Sequence, residues 1–356
     1  MKIIHVVYSL EMGGAEILVA QLCRLQREHG HDASVIAYSN LGSVGEQLLA
    51  EGFSILVLGE SPFPKTFLRF VKAFRRLRPD VVHCHNPAPT LQAAIPARLA
   101  GTRSVLSTRH SLVAPPYNLK EEKAFNFAAR FCNWVVGICD ATCENLRGIP
   151  GARRSKIVRI YNGVDPVPPV PAKSCPAKRG FTLLFVGRLA AIKDLSTLIR
   201  AAAIAVQRVP DLRLWVVGDG AERSRLESLV AELGIGENVT FWGERMDVAG
   251  FFRAADLYCM SSVSEGLPMS LLQAMSVGIP AVVTDVGGMA EVVRNSDAGL
   301  ATPVGNPEAM ADAVVQLASD PDRRRVLAEN ARNAYQQNFT LERMDASYMD
   351  LYGRPS

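Results

Sequence analysis

The chain has 356 residues, a formal net charge of +4, 48% hydrophobic and 21% charged residues, an ordinary globular balance with material for two domains rather than one. It lacks any run of about 18 apolar residues, which argues against a transmembrane helix. Its seven scattered cysteines, an odd number with no C-x-x-C pair, speak against a disulfide framework and for a reducing compartment.

The charge is uneven. Residues 1–165 carry 20 Lys and Arg against 13 Asp and Glu, a balance of +7, and the remainder carries 19 against 22, or −3. Either the halves face different partners or a solvated surface varies in the ordinary way.

In chain order, the first apolar run is Ile3–Val7. One lysine precedes it and no small-residue cleavage site follows, so it reads as a strand rather than a signal peptide. Further strands are predicted at Ala33–Ala37, Ile55–Leu58, Val81–Cys84, Val105–Thr108, Trp134–Ile138 and Ile157–Ile160, with helical patterns such as Ala15–Glu28 and Lys65–Arg78 between them. Short apolar runs alternating with amphipathic helices imply βαβ crossovers and a buried parallel sheet. Asn162-Gly163 is a turn dipeptide, and Pro166, Pro168, Pro169, Pro171 and Pro176 crowd the next stretch. Proline fixes φ and removes a donor, so residues 166–180 suit a stiff linker.

The alternation then restarts with strands at Thr182–Val186, Arg213–Val217, Val239–Trp242, Leu257–Met260, Ala281–Thr284 and Gly299–Ala301. The predicted fold class is α/β, two doubly wound Rossmann-like domains in tandem: residues 1–165, then 181–338 after the linker. Apolar residues at Leu341, Met344, Tyr348, Met349 and Tyr352 have helical spacing. Residues 339–356 are therefore expected to form a final helix packing back toward the N-terminal domain.

Chemistry concentrates in the second half. The strand FTLLFVG ends in Gly187-Arg188-Leu189, and Lys193 follows. Ligands in open α/β sheets bind beyond the carboxyl ends of strands. There Arg188 offers a rigid fork for phosphate oxygens and Lys193 a mobile point charge. Taken alone, the two cations read equally as a solvated helix start. The segment Ser264–Met275, SEGLPMSLLQAM, adds a strand-turn-helix, with Gly266 and Pro268 shaping the entry to a helix at Met269–Val277. Free backbone N–H groups at such an entry bind anions. Glu265 stands just upstream, placed to accept from sugar hydroxyls, and Gln273 lies about one turn into the helix.

The sequence resembles the retaining glycosyltransferases of the GT-B fold, family 4. The matching pieces are MGGAE (12–16), DVVHCHN (80–86), STRH (107–110), YNGVD (161–165), FVGRLAAIK (185–193), VVGDGAERSRLE (216–227) and EGLPMSLLQAMSVGIPAVVTDVGG (265–288). The resemblance implies two domains facing each other across a cleft and a UDP- or GDP-sugar donor bound mainly by the second domain. Arg188 and Lys193 would hold the diphosphate and Glu265 the transferred sugar. Gly187, Gly218, Gly266, Leu267, Pro268, Met269, Ser270 and Leu271 would complete the donor cradle. The family's Glu-x7-Glu motif has its second position at Gln273 here. Glutamine keeps an amide oxygen for a ribose hydroxyl but lacks the charge and symmetry of a carboxylate, so weaker donor binding is expected rather than lost chemistry.

On the first domain, Gly13-Gly14 opens a helix after the first strand. This is either a close backbone approach to a ligand or a tight turn. By resemblance Gly14 lies near the diphosphate or acceptor and Glu16 contacts the acceptor. His110, at a strand end, would hydrogen-bond a sugar hydroxyl or support developing positive charge, with a structural histidine as the other reading. The following loop, residues 111–118, has the irregular character of an acceptor contact. His83 and His85 alternate on a strand and face one way, as a metal pair lacking a third ligand or as a hydrogen-bonded pair. His85 is assigned to the acceptor side and no metal is expected. Asp320-Pro321-Asp322 reads as a helix cap rather than a metal motif.

The stretch Lys65–Arg78 has an apolar stripe (Phe67, Phe70, Val71, Phe74, Leu77) and six cations. It reads as core packing whose basic face is available to an anionic membrane surface.

The expectation is thus a metal-independent enzyme moving a sugar from a nucleotide-sugar to a glycan or lipid-linked acceptor, without cofactor or nucleic-acid partner. It is expected in the cytoplasm, with the inner face of the cell membrane as a peripheral location. The alternatives are a nucleotide-sugar epimerase or hydrolase on the same fold, or a non-catalytic partner that binds sugar nucleotide. A dehydrogenase is disfavoured, because GDGAER (218–223) has two of the three glycines of G-x-G-x-x-G.

Overall fold

The computed structural model describes residues 1–112, 119–171 and 175–354. Its packing separates two compact units, Met1–Gly163 with Leu341–Ser356, and Val164–Thr340. The expected acceptor loop lies mostly outside the described residues, at positions 113–118.

The first unit begins with β1 (Lys2–Val7), α1 (Gly14–Glu28), β2 (Asp32–Ala37), α2 (Gly42–Ala50), β3 (Ile55–Val57), α3 (Phe63–Leu77) and β4 (Val81–His85). It continues through α4 (Pro87–Leu99), β5 (Ser104–Arg109), α5 (Leu119–Ala129), β6 (Trp134–Gly137), α6 (Asp140–Gly148) and β7 (Ile157–Arg159). The second unit runs β8 (Thr182–Val186), α7 (Leu195–Val206), β9 (Arg213–Val217), α8 (Arg223–Glu232), β10 (Val239–Gly243), α9 (Ala249–Ala254) and β11 (Leu257–Met260). It closes with α10 (Met269–Val277), β12 (Ala281–Thr284), α11 (Gly287–Asn295), β13 (Gly299–Thr302), α12 (Pro307–Ser319) and α13 (Pro321–Asn338). The last helix, α14 (Leu341–Gly353), returns to the first unit and packs on α1 and β5.

Among the described residues the first sheet has the order β3-β2-β1-β4-β5-β6-β7 and the second β10-β9-β8-β11-β12-β13. All their paired strands are parallel. The near-continuous apolar runs are explained by burial on both faces: Ile3, Ile4, Val81 and Val82 in one sheet, and Leu183, Leu184, Leu257 and Cys259 in the other, are fully buried.

The strand order sets where each site lies. In the first sheet it reverses between β1 and β4, and in the second between β8 and β11. Crossovers diverge to opposite faces at such a switch point, leaving a crevice beyond the strands' carboxyl ends. In the second unit the loops at that crevice carry Gly187–Lys193 and Ser261–Pro268.

Element ends shift slightly from expectation. β4 and β5 each run one residue further, to His85 and Arg109, because the ladder continues through the pairs His85–Thr108 and Arg109–Gly137. The helix expected at Lys65–Arg78 spans Phe63–Leu77, since Pro62 and Pro64 preset its first turn and Arg78 leaves it in the left-handed region at φ +50°. Its stripe is core: Phe70, Val71 and Phe74 are buried, whereas Phe63 and Leu68 stay exposed beside Lys65, Lys72, Arg75 and Arg76. Asp320 caps α13, its Oδ1 accepting from the Arg323 amide at 2.8 Å.

Candidate functional site

The loop after β8 is shaped by a close approach of two chain segments. Gly187 N–H donates to Val217 O at 3.0 Å and Leu189 N–H to Asp219 O at 2.9 Å. A Cβ at Gly218, whose φ is +134°, would lie 2.0 Å from the Gly187 carbonyl oxygen. Only glycine permits this contact, and it fixes the backbone on both sides of Arg188. The Arg188 side chain is exposed at the carboxyl end of the strand.

A 3-10 turn at Ala191–Lys193 is then stitched to the loop after β11. Val263 N–H donates to Ile192 O at 2.9 Å. The Ser261 hydroxyl donates to the carbonyls of Lys193 and Asp194, at 3.1 and 2.8 Å. These bonds bring together two residues far apart in sequence: Lys193 Nζ donates to Glu265 Oε1, with both side chains largely buried. Ser262 Oγ donates to the same carboxylate oxygen at 3.3 Å. The loop is anchored on its other side by Gly288 N–H, which donates to Gly266 O at 2.7 Å.

α10 starts immediately after, with Pro268 as its N-terminal cap residue and no side-chain cap. The first-turn N–H groups of a helix lack intrahelical acceptors, and the dipole adds partial positive charge there. A lysine, an arginine and a helix entry thus gather at the switch point, which is the chemistry of a diphosphate cradle. The side chains of Leu267 and Leu271 are buried in the core, and Ser270 Oγ is hydrogen-bonded to Tyr258 OH at 2.8 Å. What these three positions offer a ligand is their backbone. Gln273 lies partly buried in the second turn.

In the first unit, Gly13 is extended at φ −164° and Gly14 begins α1. A Cβ added at Gly14 would meet no atom within 4 Å, so the fold itself does not demand glycine there. Glu16 lies in the first turn of α1 and is partly buried.

The histidines form a buried polar network. His5 on β1 pairs in register with His83 on β4. His5 Nδ1 is 3.0 Å from His85 Nε2, and His85 Nδ1 is 3.0 Å from His110 Nε2. At the other end His5 Nε2 meets Gln26 Oε1 at 2.9 Å, and Gln26 Nε2 donates to Asp345 Oδ1 at 3.0 Å. His83 is bonded through Nδ1 to Tyr352 OH at 2.8 Å and through Nε2 to Thr108 Oγ1 at 2.7 Å, and Thr108 reaches Tyr348 OH at 3.1 Å. Burial pushes the His5 pKa down and those of His83 and His85 well down, and lowers that of His110 to about 4.

The structure corrects one placement. His85 is buried with both ring nitrogens taken by His5 and His110, so it stands behind His110 rather than at an acceptor surface. His5 supplies the third imidazole that the sequence pattern did not suggest, and ligand atoms of His5, His83 and His85 lie within 4.8 Å of one another. Both nitrogens of His83 are spent on hydroxyls, and the facing nitrogens of His5 and His85 share a hydrogen bond, which is the donor arrangement of a hydrogen-bonded chain. His5, Gln26 and Asp345 were missed because only strand register and the return of α14 bring them together.

Two parallel sheets, each with a single reversal of strand order, define a protein of two doubly wound α/β units. Residues 12–167 match the family profile described as Glycosyltransferase Family 4, and residues 170–334 match that of Glycosyl transferases group 1. The chain is 30% identical over 364 residues to the lipopolysaccharide core biosynthesis glycosyltransferase LpsE of Rhizobium meliloti, with 99% of this chain and 98% of that protein covered. It is 25% identical over 305 residues to the Escherichia coli UDP-Gal:alpha-D-GlcNAc-diphosphoundecaprenol alpha-1,3-galactosyltransferase, covering 81% and 79%. Its fold is similar to that of HepE of Anabaena, crystallised with UDP: TM-score 0.86, 21% identity, 98% and 99% of the two chains covered. The chain belongs to the family-4 glycosyltransferases of the GT-B fold.

Proposed function

We propose that this chain transfers a sugar from a nucleotide-sugar donor, a UDP- or GDP-sugar, to a hydroxyl of a glycan or lipid-linked acceptor, with retention at the anomeric carbon and without a metal ion. The observation that carries the reading is the cluster at the second switch point. Lys193, Glu265, Arg188 and the uncapped start of α10 meet where a diphosphate and its sugar would bind. The leaving diphosphate develops negative charge as the glycosidic bond breaks. Fixed cations and helix amides stabilise that charge without reorganising, so the residues present supply what a divalent ion otherwise would. The acceptor hydroxyl then attacks the face the phosphate leaves, and a phosphate oxygen takes its proton. Glu265 orients the sugar and Gln273 accepts from a ribose hydroxyl.

Gly14 offers its backbone to the ligand. Glu16 contacts the acceptor, and His110 Nδ1 accepts from a substrate hydroxyl. The lipopolysaccharide and diphosphoundecaprenol in the relatives' names support a glycan or lipid-linked acceptor and a role in cell-surface glycan synthesis. Among the described residues no helix is long and apolar enough to cross a membrane. We assign the protein to the cytoplasm, with the basic face of α3 and its exposed Phe63 and Leu68 resting on anionic lipid. Liposome flotation with and without anionic lipid tests that contact, and equal binding to neutral vesicles would remove it.

The main reading is tested by thermal-shift titration with UDP-, GDP- and ADP-sugars. One donor class should raise the melting temperature of the native chain in the presence of chelator, and Arg188→Ala should abolish the shift. An unshifted melting temperature across the panel would overturn it.

A further inference from the structure

We infer that Asp345 and Gln26 fix the tautomer of His110 through a one-way chain of imidazoles, holding His110 Nδ1 as a bare acceptor for a substrate hydroxyl. The inference rests on the proposed function for what His110 touches, but the chain itself is a property of the first unit alone.

The direction follows from counting protons from the far end. A carboxylate accepts and does not donate. Asp345, buried on α14, receives Gln26 on one oxygen and His29 Nδ1 on the other, at 3.0 and 3.2 Å. Gln26 must therefore face Asp345 with its N–H₂ group, which turns its carbonyl oxygen toward His5. His5 Nε2 must then carry the proton. A neutral imidazole has one N–H, so His5 Nδ1 is an acceptor and His85 Nε2 must donate to it. By the same step His85 Nδ1 is bare and His110 Nε2 must donate to it. The last nitrogen, His110 Nδ1, is left as an acceptor, and it is buried with no hydrogen-bond partner among the described residues.

An unpartnered buried acceptor is costly in a native protein and is kept where a ligand satisfies it. The backbone around it is held independently: His110 N–H donates to Asn86 Oδ1 at 3.0 Å, and Asn86 N–H to Thr108 O at 2.7 Å. Only the proton remains to be placed, and the chain places it.

His83 provides the contrast. It lies beside His85 with ring centroids 4.1 Å apart and the planes tilted, yet both its nitrogens end on hydroxyls of Tyr352 and Thr108, which can donate or accept. Its tautomer is free to adjust, whereas those of His5, His85 and His110 are forced. An additional proton on His5 or His85 would reverse the donors downstream of it and leave His110 with Nδ1–H, so the chain holds Nδ1 bare only in its neutral form. Asp345, Gln26, His5 and His85 are positioning residues for His110.

The test is a long-range proton–nitrogen correlation spectrum of the full chain labelled with nitrogen-15 histidine, without substrate at neutral pH. His5, His85 and His110 should all appear as the Nε2–H tautomer. Asp345→Asn keeps the volume but allows the end group to donate, and should give a mixture at His110 together with a loss in transfer kcat/KM of about five- to tenfold, the worth of one hydrogen bond. Asp345→Glu, acceptor-only again, should restore both. A wild-type His110 in the Nδ1–H form overturns the inference without recourse to any variant, and so does an Asp345→Asn chain whose His110 tautomer is unchanged. The expected tautomers in a chain that binds no nucleotide-sugar would support the relay and count against the proposed function instead.

Discussion

Lys193 and Glu265, 72 residues apart, are in direct hydrogen-bond contact in the second unit, and the loop that carries Glu265 leads directly into α10. Each residue holds the other in place before any ligand arrives. Removing either disturbs both, so their contributions should not add. Glu265→Ala and Arg188→Ala are each expected to lower kcat/KM by about 10²–10³-fold, as for loss of one preorganised electrostatic contact. Lys193→Ala with Glu265→Ala should lose less than the product of the single losses. Steady-state kinetics on the four variants checks this, and full additivity would show that the contact plays no part.

Gln273 is expected to act on donor affinity and not on the reacting bond. Gln273→Glu gives the ribose a charged, two-oxygen acceptor and should lower the donor KM with kcat little changed. A collapse of kcat in that variant would place the residue in the chemistry.

Two glycines separate structural from ligand-dependent need. Gly218→Ala drives a Cβ to 2.0 Å from the Gly187 carbonyl oxygen at φ +134°. It should cost about 1–3 kcal/mol of stability, with donor binding weakened as Arg188 shifts. Gly14→Ala meets nothing within 4 Å and should leave the melting temperature unchanged or slightly raised while reducing transfer. Chemical denaturation beside activity assays distinguishes them. A Gly14→Ala variant with full activity would mean that no ligand approaches there.

The buried imidazoles predict a pH dependence of stability. Burial lowers the pKa values of His5, His83, His85 and His110, the last to about 4. In the unfolded chain each takes up a proton near its ordinary pKa of about 6.5. Below that value the unfolded state binds more protons than the folded one, so stability falls as pH falls. The loss continues for each group until its folded pKa is reached, which for His110 closes the window at about 4. The slope should approach about 1.4 kcal/mol per pH unit for each imidazole. Urea unfolding between about pH 7.5 and about pH 5 measures it. A flat profile would show that the folded network takes up protons as the unfolded chain does.

The features from which the donor side is proposed were legible in the sequence because they are local. A strand, a glycine turn and a helix entry lie within SEGLPMSLLQAM, and helix α10 spans Met269–Val277 as its pattern predicts. Near-continuous apolar runs likewise revealed two parallel sheets, since such strands are buried on both faces. The histidine chain was not legible. His83 and His85 show their alternation, but His5 joins them through strand pairing 80 residues from His85, and Asp345 reaches Gln26 across 319 residues. Nothing in local spacing marks a buried carboxylate on a C-terminal helix as the end of a proton-ordered chain. His85 was assigned to the acceptor for the same reason: its neighbours, not its position on the strand, decide where its nitrogens point.

The central claim is retaining, metal-independent transfer from a nucleotide-sugar. Its most direct test is proton NMR of the sugar released when the protein, in excess chelator, hydrolyses a preferred α-linked donor slowly in the absence of acceptor. The account predicts nucleoside diphosphate and, before mutarotation, the α-anomer, with no dependence on added divalent cation. Initial release of the β-anomer, or release that requires a divalent cation, would contradict it.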